Sequence, residues 1–280
     1  MRKVSAGRIS KLISKLSMRA NIRLRPDVKK ALRDALKKEK RRNAVDSLRL
    51  LLKNADIALR DKIAICQDTG MTVVFMEIGQ GVRIVGGSLR QAVDRGVREG
   101  YKKGHLRKSV VSSPIERRNT GTNTPAILHT QIVPGGSVKV WVIPKGFGSE
   151  NKSRIRMLNP SEGERGIVDF VVRVAEEAGP EACPPFVLGV GIGGTFDHAA
   201  YLAKKAFLRR IDKKNPDLLL RRLEKKILDK VNGLGVGPMG LGGKTTALGI
   251  NILSEATHIA GLPVAVNVNC HATRSAYGVI

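Results

Sequence analysis

The residues of this chain best suited to hold a metal centre are three widely spaced cysteines, Cys66, Cys183 and Cys270. Each closes an apolar or strand-like run and stands beside residues that stop regular structure. Cys66 follows Ile63-Ala64-Ile65 and precedes Gln67-Asp68-Thr69-Gly70; Cys183 is followed by Pro184-Pro185; Cys270 follows the run from Val264 to Asn269 and precedes His271. A loop just past a strand is where ligating and catalytic groups are usually displayed. Taken singly, each cysteine reads better as a small buried hydrophobe than as a ligand. An odd, sparse set without a C-x-x-C pair is not a disulfide framework, a zinc ribbon or a thioredoxin-like site. A reducing, cytoplasmic compartment is the expectation.

Two glycine-rich stretches invite a phosphate-binding reading. In Gly233 to Thr246 a Walker A loop would need glycine at position 238, where the chain has Pro238. Proline lacks the N–H that a phosphate nest uses. The segment reads better as a close-packed turn feeding a helix from Thr245, one that could receive a carboxylate. Gly189 to Gly194 departs from the dinucleotide spacing G-x-G-x-x-G, and no acidic residue closes a second strand about twenty residues on. Both loops are expected to bring backbone close to something buried.

The formal charge of +26 is uneven: residues 1–42 hold 16 Lys/Arg against 3 acids, and residues 204–230 hold 11 against 4. Such stretches are either an electrostatic footprint for nucleic acid or solvated helix faces, and the scarcity of aromatics favours the second. No run of eighteen apolar residues is present, so no membrane span is expected.

Apolar spacing predicts helices through Ile9–Leu16, Val28–Leu36 and Ala44–Leu59, a lead-in of residues 1–60 that belongs to the fold, although the first twenty residues also have the composition of a transit peptide. Short β-type runs follow at 63–65 and 72–78, then a helix at 88–103 opening at Ser88. Ile127–Val133 and Val138–Ile143 flank a Pro-Gly-Gly turn and predict a hairpin. Helix 162–178, strand 186–191, helices 198–210 and 216–231, and strand 264–268 complete the pattern. The expected class is mixed α/β (α+β): a helical N-terminal lobe over 1–60, then a mixed-sheet region over 61–280, in one continuous domain.

Six segments in order carry a resemblance: ICQDTG at 65–70, SPIERRNTGTNTPA at 113–126, KGFGSENKS at 145–153, ACPPFVLGVGIGGTFD at 182–197, GPMGLGGKTTAL at 237–248 and GLPVAVNVNCHATR at 261–274. The chain resembles the class I fumarate hydratase and L-tartrate dehydratase family, specifically the α subunit of its two-chain members. The resemblance implies a [4Fe–4S] cluster held by Cys66, Cys183 and Cys270, with one iron left open as a Lewis acid for a 2-hydroxy dicarboxylate. It implies Asp68 for acid–base work or hydroxyl orientation. It also implies Gln67, Arg107, Gly148 and His258 as substrate contacts, with Ser149 beside Gly148 and Lys145 as a further anion contact. Phe147 and His198 depart from the family's usual residues. Fumarate hydration to L-malate is the implied reaction, with L-tartrate dehydration as the alternative and a basic nucleic-acid-binding protein as the rival from another class. A separate β subunit in an α₂β₂ assembly is the implied partner, with the isolated chain binding a cluster but turning over little.

Overall fold

A computed structural model describes residues 1–280. The chain runs β1 (Arg2–Ser5), α1 (Ala6–Ile22), α2 (Pro26–Lys38), α3 (Arg42–Asp61), β2 (Met71–Gly79), β3 (Val82–Val85), α4 (Leu89–Lys103) and β4 (Ile127–Val133). It continues through β5 (Val138–Lys145), α5 (Phe147–Glu150), β6 (Arg154–Leu158), α6 (Gly163–Ala178), β7 (Phe186–Gly194), α7 (Phe196–Lys205), α8 (Leu218–Gly233), β8 (Ala247–Thr257), β9 (Leu262–Asn269) and β10 (Ala276–Val279). The class is mixed α/β, as the sequence predicts. Two compact units are present, one of residues 1–25, 54–147 and 274–280, the other of residues 26–53 and 148–273. The helices of residues 1–60 are thus shared: α1 belongs to the first unit, α2 and the first half of α3 to the second. No helix is long and apolar enough to cross a membrane.

In the first unit a four-stranded sheet has the order β10-β5-β2-β4. α1 and α4 pack on it through Ile9, Ile13, Leu16, Val93 and Val97 against Val74, Met76, Val138 and Val140. The two helices meet closely because α4 carries glycine at the contact: a Cβ on Gly96 would lie 2.6 Å from the Ser10 carbonyl oxygen. The expected 127–143 hairpin does not form. β2 lies between its two arms, parallel to β4 and antiparallel to β5. β2 is buried along nearly its whole length, which suits a central strand. The Pro-Gly-Gly link therefore crosses two strand spacings, roughly 10 Å. It wraps the end of β2, where Gln80 N–H donates to Val133 O (2.8 Å) and Gly79 N–H to Ser137 O (2.9 Å). The Ile63–Ile65 run is irregular rather than extended. Ile65 N–H donates to Asn21 O at 2.9 Å and Ile65 O accepts from Asn54 Nδ2 at 2.8 Å, so its polar groups are satisfied without a sheet neighbour.

The second unit holds the sheet β6-β9-β7-β8, with β7 parallel to β8 and antiparallel to β9. α6 and α8 cover one face through Val168, Val171, Leu223 and Ile227 against Leu188, Val190, Val264 and Val266. α7 lies against the other face. There β7 is glycine-rich because a backbone passes over it: a Cβ on Gly191 would meet the Ala199 oxygen at 2.1 Å, and one on Gly189 the Ala203 oxygen at 2.2 Å. The helix expected from Thr245 is instead strand β8. Its apolar run fits either period, and pairing with β7 decides it. Asn232 Oδ1 starts the strand by accepting from both Thr246 N–H (2.8 Å) and Ala247 N–H (2.9 Å).

Gly191→Ala is expected to lower stability by about 2 kcal/mol or more, since α7 must lift from the sheet. Gly233→Ala, with open space at its Cβ position, is the control for a thermal melt and should shift the midpoint little.

Candidate functional site

The pairing of β7 with β9 places two of the cysteines. Val187 faces Asn269 in antiparallel register. The segment entering β7, which contains Cys183, and the segment leaving β9, which begins with Cys270, therefore lie at the same end of the sheet. Cys183 has a left-handed backbone (φ 53) after the short turn Pro180–Ala182, and its N–H donates to Pro180 O at 3.0 Å. Its own carbonyl accepts the N–H of His271, the residue after Cys270, at 3.1 Å. The His271 Nδ1 also sits 3.1 Å from that carbonyl, a second hydrogen bond for the tautomer protonated there. Thr273 Oγ1 donates to Cys270 O at 2.9 Å. Two thiol-bearing loops are thereby tied together at the Cys183 carbonyl.

The glycine-rich loop packs beside the first of these. Met239 N–H donates to Pro184 O at 2.9 Å. The loop does receive a carboxylate, as its sequence allows, and the carboxylate is the chain's own Glu39. Glu39 Oε2 accepts Lys244 N–H (2.7 Å) and Oε1 accepts Lys40 and Arg41 N–H (2.9 and 3.0 Å). Gly243 is required here: its φ is +121, and a Cβ would meet Glu39 Oε2 at 2.6 Å. Burial of Glu39 opposes its charge, but the three backbone donors outweigh it and hold the carboxyl below its ordinary range.

The third cysteine lies in the first unit, in a turn that displays Gln67 and Asp68. Cys66 Sγ is 3.4 Å from Gln67 Oε1. Asp68 is held at three points: Oδ1 accepts Gly70 N–H (2.9 Å), Oδ2 accepts Phe147 N–H (2.7 Å), and the main-chain oxygen accepts Arg274 Nη2 (2.8 Å). Arg274 is buried and also donates to Asn21 Oδ1 at 3.1 Å. The turn behind Asp68 is fixed by Tyr101, whose hydroxyl donates to Thr69 O at 2.7 Å, and by Asn123, whose Nδ2 donates to Gly70 O at 3.1 Å. Burial pushes the Tyr101 phenol above its usual range, so it stays a protonated donor. Gly70 has φ +73, and a Cβ there would lie 2.6 Å from the Lys145 main chain.

Arg107 adjoins the same turn, because its carbonyl accepts Thr69 Oγ1 at 2.5 Å, and its side chain is exposed. Lys145 is buried, with Nζ donating to Gly146 O at 3.1 Å. A Cβ on Gly146 would meet Asp68 Oδ2 at 3.1 Å, so the chain after β5 runs against the carboxylate. Gly148 is exposed and Ser149 buried within α5. Past α5, Asn267 Nδ2 donates to both Glu150 Oε2 and Ser153 Oγ at 2.8 Å, fastening this segment to β9.

The structure thus gathers Gln67, Asp68, Arg107 and Lys145 around one turn of the first unit, and Cys183 with Cys270 at one sheet end of the second. It does not bring His258 to that end. His258 is exposed in the turn from β8 to β9, with Nδ1 accepting Ala260 N–H at 3.2 Å. That turn lies at the opposite end of the strands from Cys183 and Cys270. Arg274, Tyr101, Asn123 and Glu39 had no assigned role in the sequence. Arg274 and Asn123 do stand inside the family-like segments 261–274 and 113–126, which is the signal the sequence offers.

All three cysteines are reduced and half-buried, and no three His, Cys, Asp or Glu side chains converge to hold a single metal ion. Thiols are the soft donors that iron–sulfur clusters take as ligands. The model of the fumarate hydratase (Fumerase) family matches residues 10–279. The chain belongs to that family. It is 40% identical over 278 residues to a protein of Methanocaldococcus jannaschii named putative L(+)-tartrate dehydratase subunit alpha, covering 96% of each chain. It is 34% identical over 212 residues to the L(+)-tartrate dehydratase subunit alpha of Escherichia coli strain K12, covering 75% of this chain and 70% of that one. This family member is accordingly placed among the hydro-lyases.

Glu39→Gln should remove about 1–3 kcal/mol at pH 7, where the carboxylate serves three donors. Because the folded carboxyl titrates below its ordinary value, near 4.3 when unfolded, its contribution is complete above that value and lost as pH falls through the folded one. The gap between wild type and Glu39→Gln in thermal melts should therefore shrink below about pH 4. A gap independent of pH would contradict this role.

Proposed function

We propose that this chain is the α subunit of a hydro-lyase that interconverts a four-carbon 2-hydroxy dicarboxylate and its unsaturated acid by loss or addition of water. Cys66, Cys183 and Cys270 hold a [4Fe–4S] cluster. The observation that carries the reading is the joining of the Cys183 and Cys270 loops through the two His271 contacts to the Cys183 carbonyl. In a member of this family, that brings two thiol-bearing loops to one end of a sheet. When bound, such a cluster with three thiolates supplies one iron able to polarise a hydroxyl and a carboxylate.

The rest of the chemistry falls to the chain's own groups. Asp68 is the candidate for moving or steering a proton. Its oxygens each accept one backbone N–H, which fixes the carboxylate plane and leaves a lone pair on each oxygen for substrate or water. Arg107 is suited to a substrate carboxylate through two parallel N–H donors. Gln67 and the Gly148 N–H are proposed as further contacts, with buried Lys145 adding positive charge behind the turn. His258, at the far end of the sheet from Cys183 and Cys270, is proposed as a substrate contact given to the pocket of a second α chain. The relatives are named subunit alpha. A β subunit completing the pocket, in an α₂β₂ assembly, is therefore part of the proposal.

Fumarate and L-malate are the first substrate pair. L-tartrate is the second reading, favoured by the names of the relatives. Anaerobic reconstitution of the chain with its β partner, followed by parallel assays on L-malate and L-tartrate, separates the two by kcat/KM. Cys66→Ser, Cys183→Ser and Cys270→Ser should each abolish turnover and lower iron content. A single variant with normal iron and activity overturns the three-ligand reading. Asp68→Asn should keep its iron and lose about 10²–10⁴-fold in kcat; unchanged kcat removes Asp68 from the proton chemistry.

A further inference from the structure

The basic segments of the sequence are of two physical kinds. Around α2, α8 and the link between α7 and α8, many cations have acidic partners: Lys30 with Asp34, Arg209 with Glu224, Arg210 with Asp212, Lys225 with Asp229, Lys226 with Glu164 and Lys230 with Asp169. These are solvated, compensated helix faces. α1 is otherwise. Residues 1–25 hold eight Lys/Arg and no Asp or Glu. The buried face of α1 is apolar and serine-rich, and its exposed face is a row of Arg8, Lys11, Lys15 and Arg19. At 1.5 Å per residue the row is about 16 Å long, with a cation every 5–6 Å. None of the four is in an ion pair. Arg95 of α4 extends the row sideways, with Nε donating to Ser10 Oγ at 3.3 Å across the glycine-mediated contact of the two helices.

Like charges four residues apart destabilise a helix by a few tenths of a kcal/mol each. A row of them without a single acid is a standing cost that nothing in the hydro-lyase reading requires. What the row lacks identifies its partner. A lipid surface would need large apolar side chains beside the cations, and α1 exposes none. A protein interface would need aromatic or aliphatic anchors, also missing. Single-stranded nucleic acid would need rings for stacking, and the one aromatic on these two helices, Tyr101, is fully buried. Regularly spaced, mobile cations on a rigid rod are what a duplex phosphate backbone takes.

We infer that the exposed face of α1, with Arg95, is a sequence-independent docking surface for the phosphate backbone of a nucleic-acid duplex. The inference does not depend on the cluster or on turnover. It is tested on the full chain, in complex with its β partner, by fluorescence anisotropy with a 24-base-pair DNA duplex across a salt series. With four or five phosphates engaged, log K should fall with log salt at a slope near −4. The triple change Lys11→Glu, Lys15→Glu, Arg19→Glu should weaken binding at least tenfold and flatten the slope by about 2–3. An equal charge change at exposed Lys213, Lys214 and Arg222 should leave both nearly unaltered. If the charge reversals unfold α1, Lys11→Gln with Lys15→Gln should still flatten the slope by about 2. Equal losses from the two triple variants would reduce the effect to net charge and overturn the inference. So would tighter binding to polyglutamate, to anionic vesicles or to single strands than to the duplex.

Discussion

The antiparallel register of β7 and β9 is the constraint on which the second unit depends. It sets Val187 opposite Asn269, so the loops bearing Cys183 and Cys270 must share one end of the sheet. On one face of this pair α7 lies almost on the backbone of β7. The glycines at 189 and 191 admit the carbonyls of Ala203 and Ala199, and any side chain there would push the helix away. The same sheet is sealed on its other face by aliphatic residues of α6 and α8, so the strands cannot slide without exposing them. The placing of the two cysteine loops at the strand ends is thereby fixed by packing in the strand middles.

Around the Asp68 turn the organising device is polar. Asp68 is oriented by backbone N–H groups and by a buried guanidinium on its carbonyl, with Tyr101 and Asn123 holding the chain behind it. Donors fixed by backbone do not reorganise when charge develops at the carboxylate, which is the condition for efficient proton handling. Glu39 plays a comparable part for the glycine-rich loop, as an internal anion in a nest that resembles a phosphate site in composition alone.

What could be read in the sequence follows from which interactions are local. Helices α1, α2, α4 and α6 and strands β7 and β9 are legible because their apolar period and their caps lie within the segment. The placing of β2 between β4 and β5 is not, because a Pro-Gly-Gly link looks like a hairpin whether it turns back directly or crosses a third strand. β8 was hidden because an apolar run beginning Ala-Leu-Gly-Ile fits helix and strand alike until β7 pairs with it. The cysteines, Gln67 and Asp68 stand inside the family-like segments and Arg107 in the run just before one of them, so they could be named. Glu39, Tyr101 and Arg274 act on loops far away in sequence, and His258 stands twelve residues before Cys270 yet at the other end of the strands, because β9 lies between them.

The most direct measurement is thiol alkylation mapped by mass spectrometry on the anaerobically reconstituted chain, before and after iron chelation. The account predicts that Cys66, Cys183 and Cys270 are protected together while iron is bound and become reactive together when it is removed. One cysteine alkylated at the chelated rate while the other two stay protected would contradict a cluster held by all three.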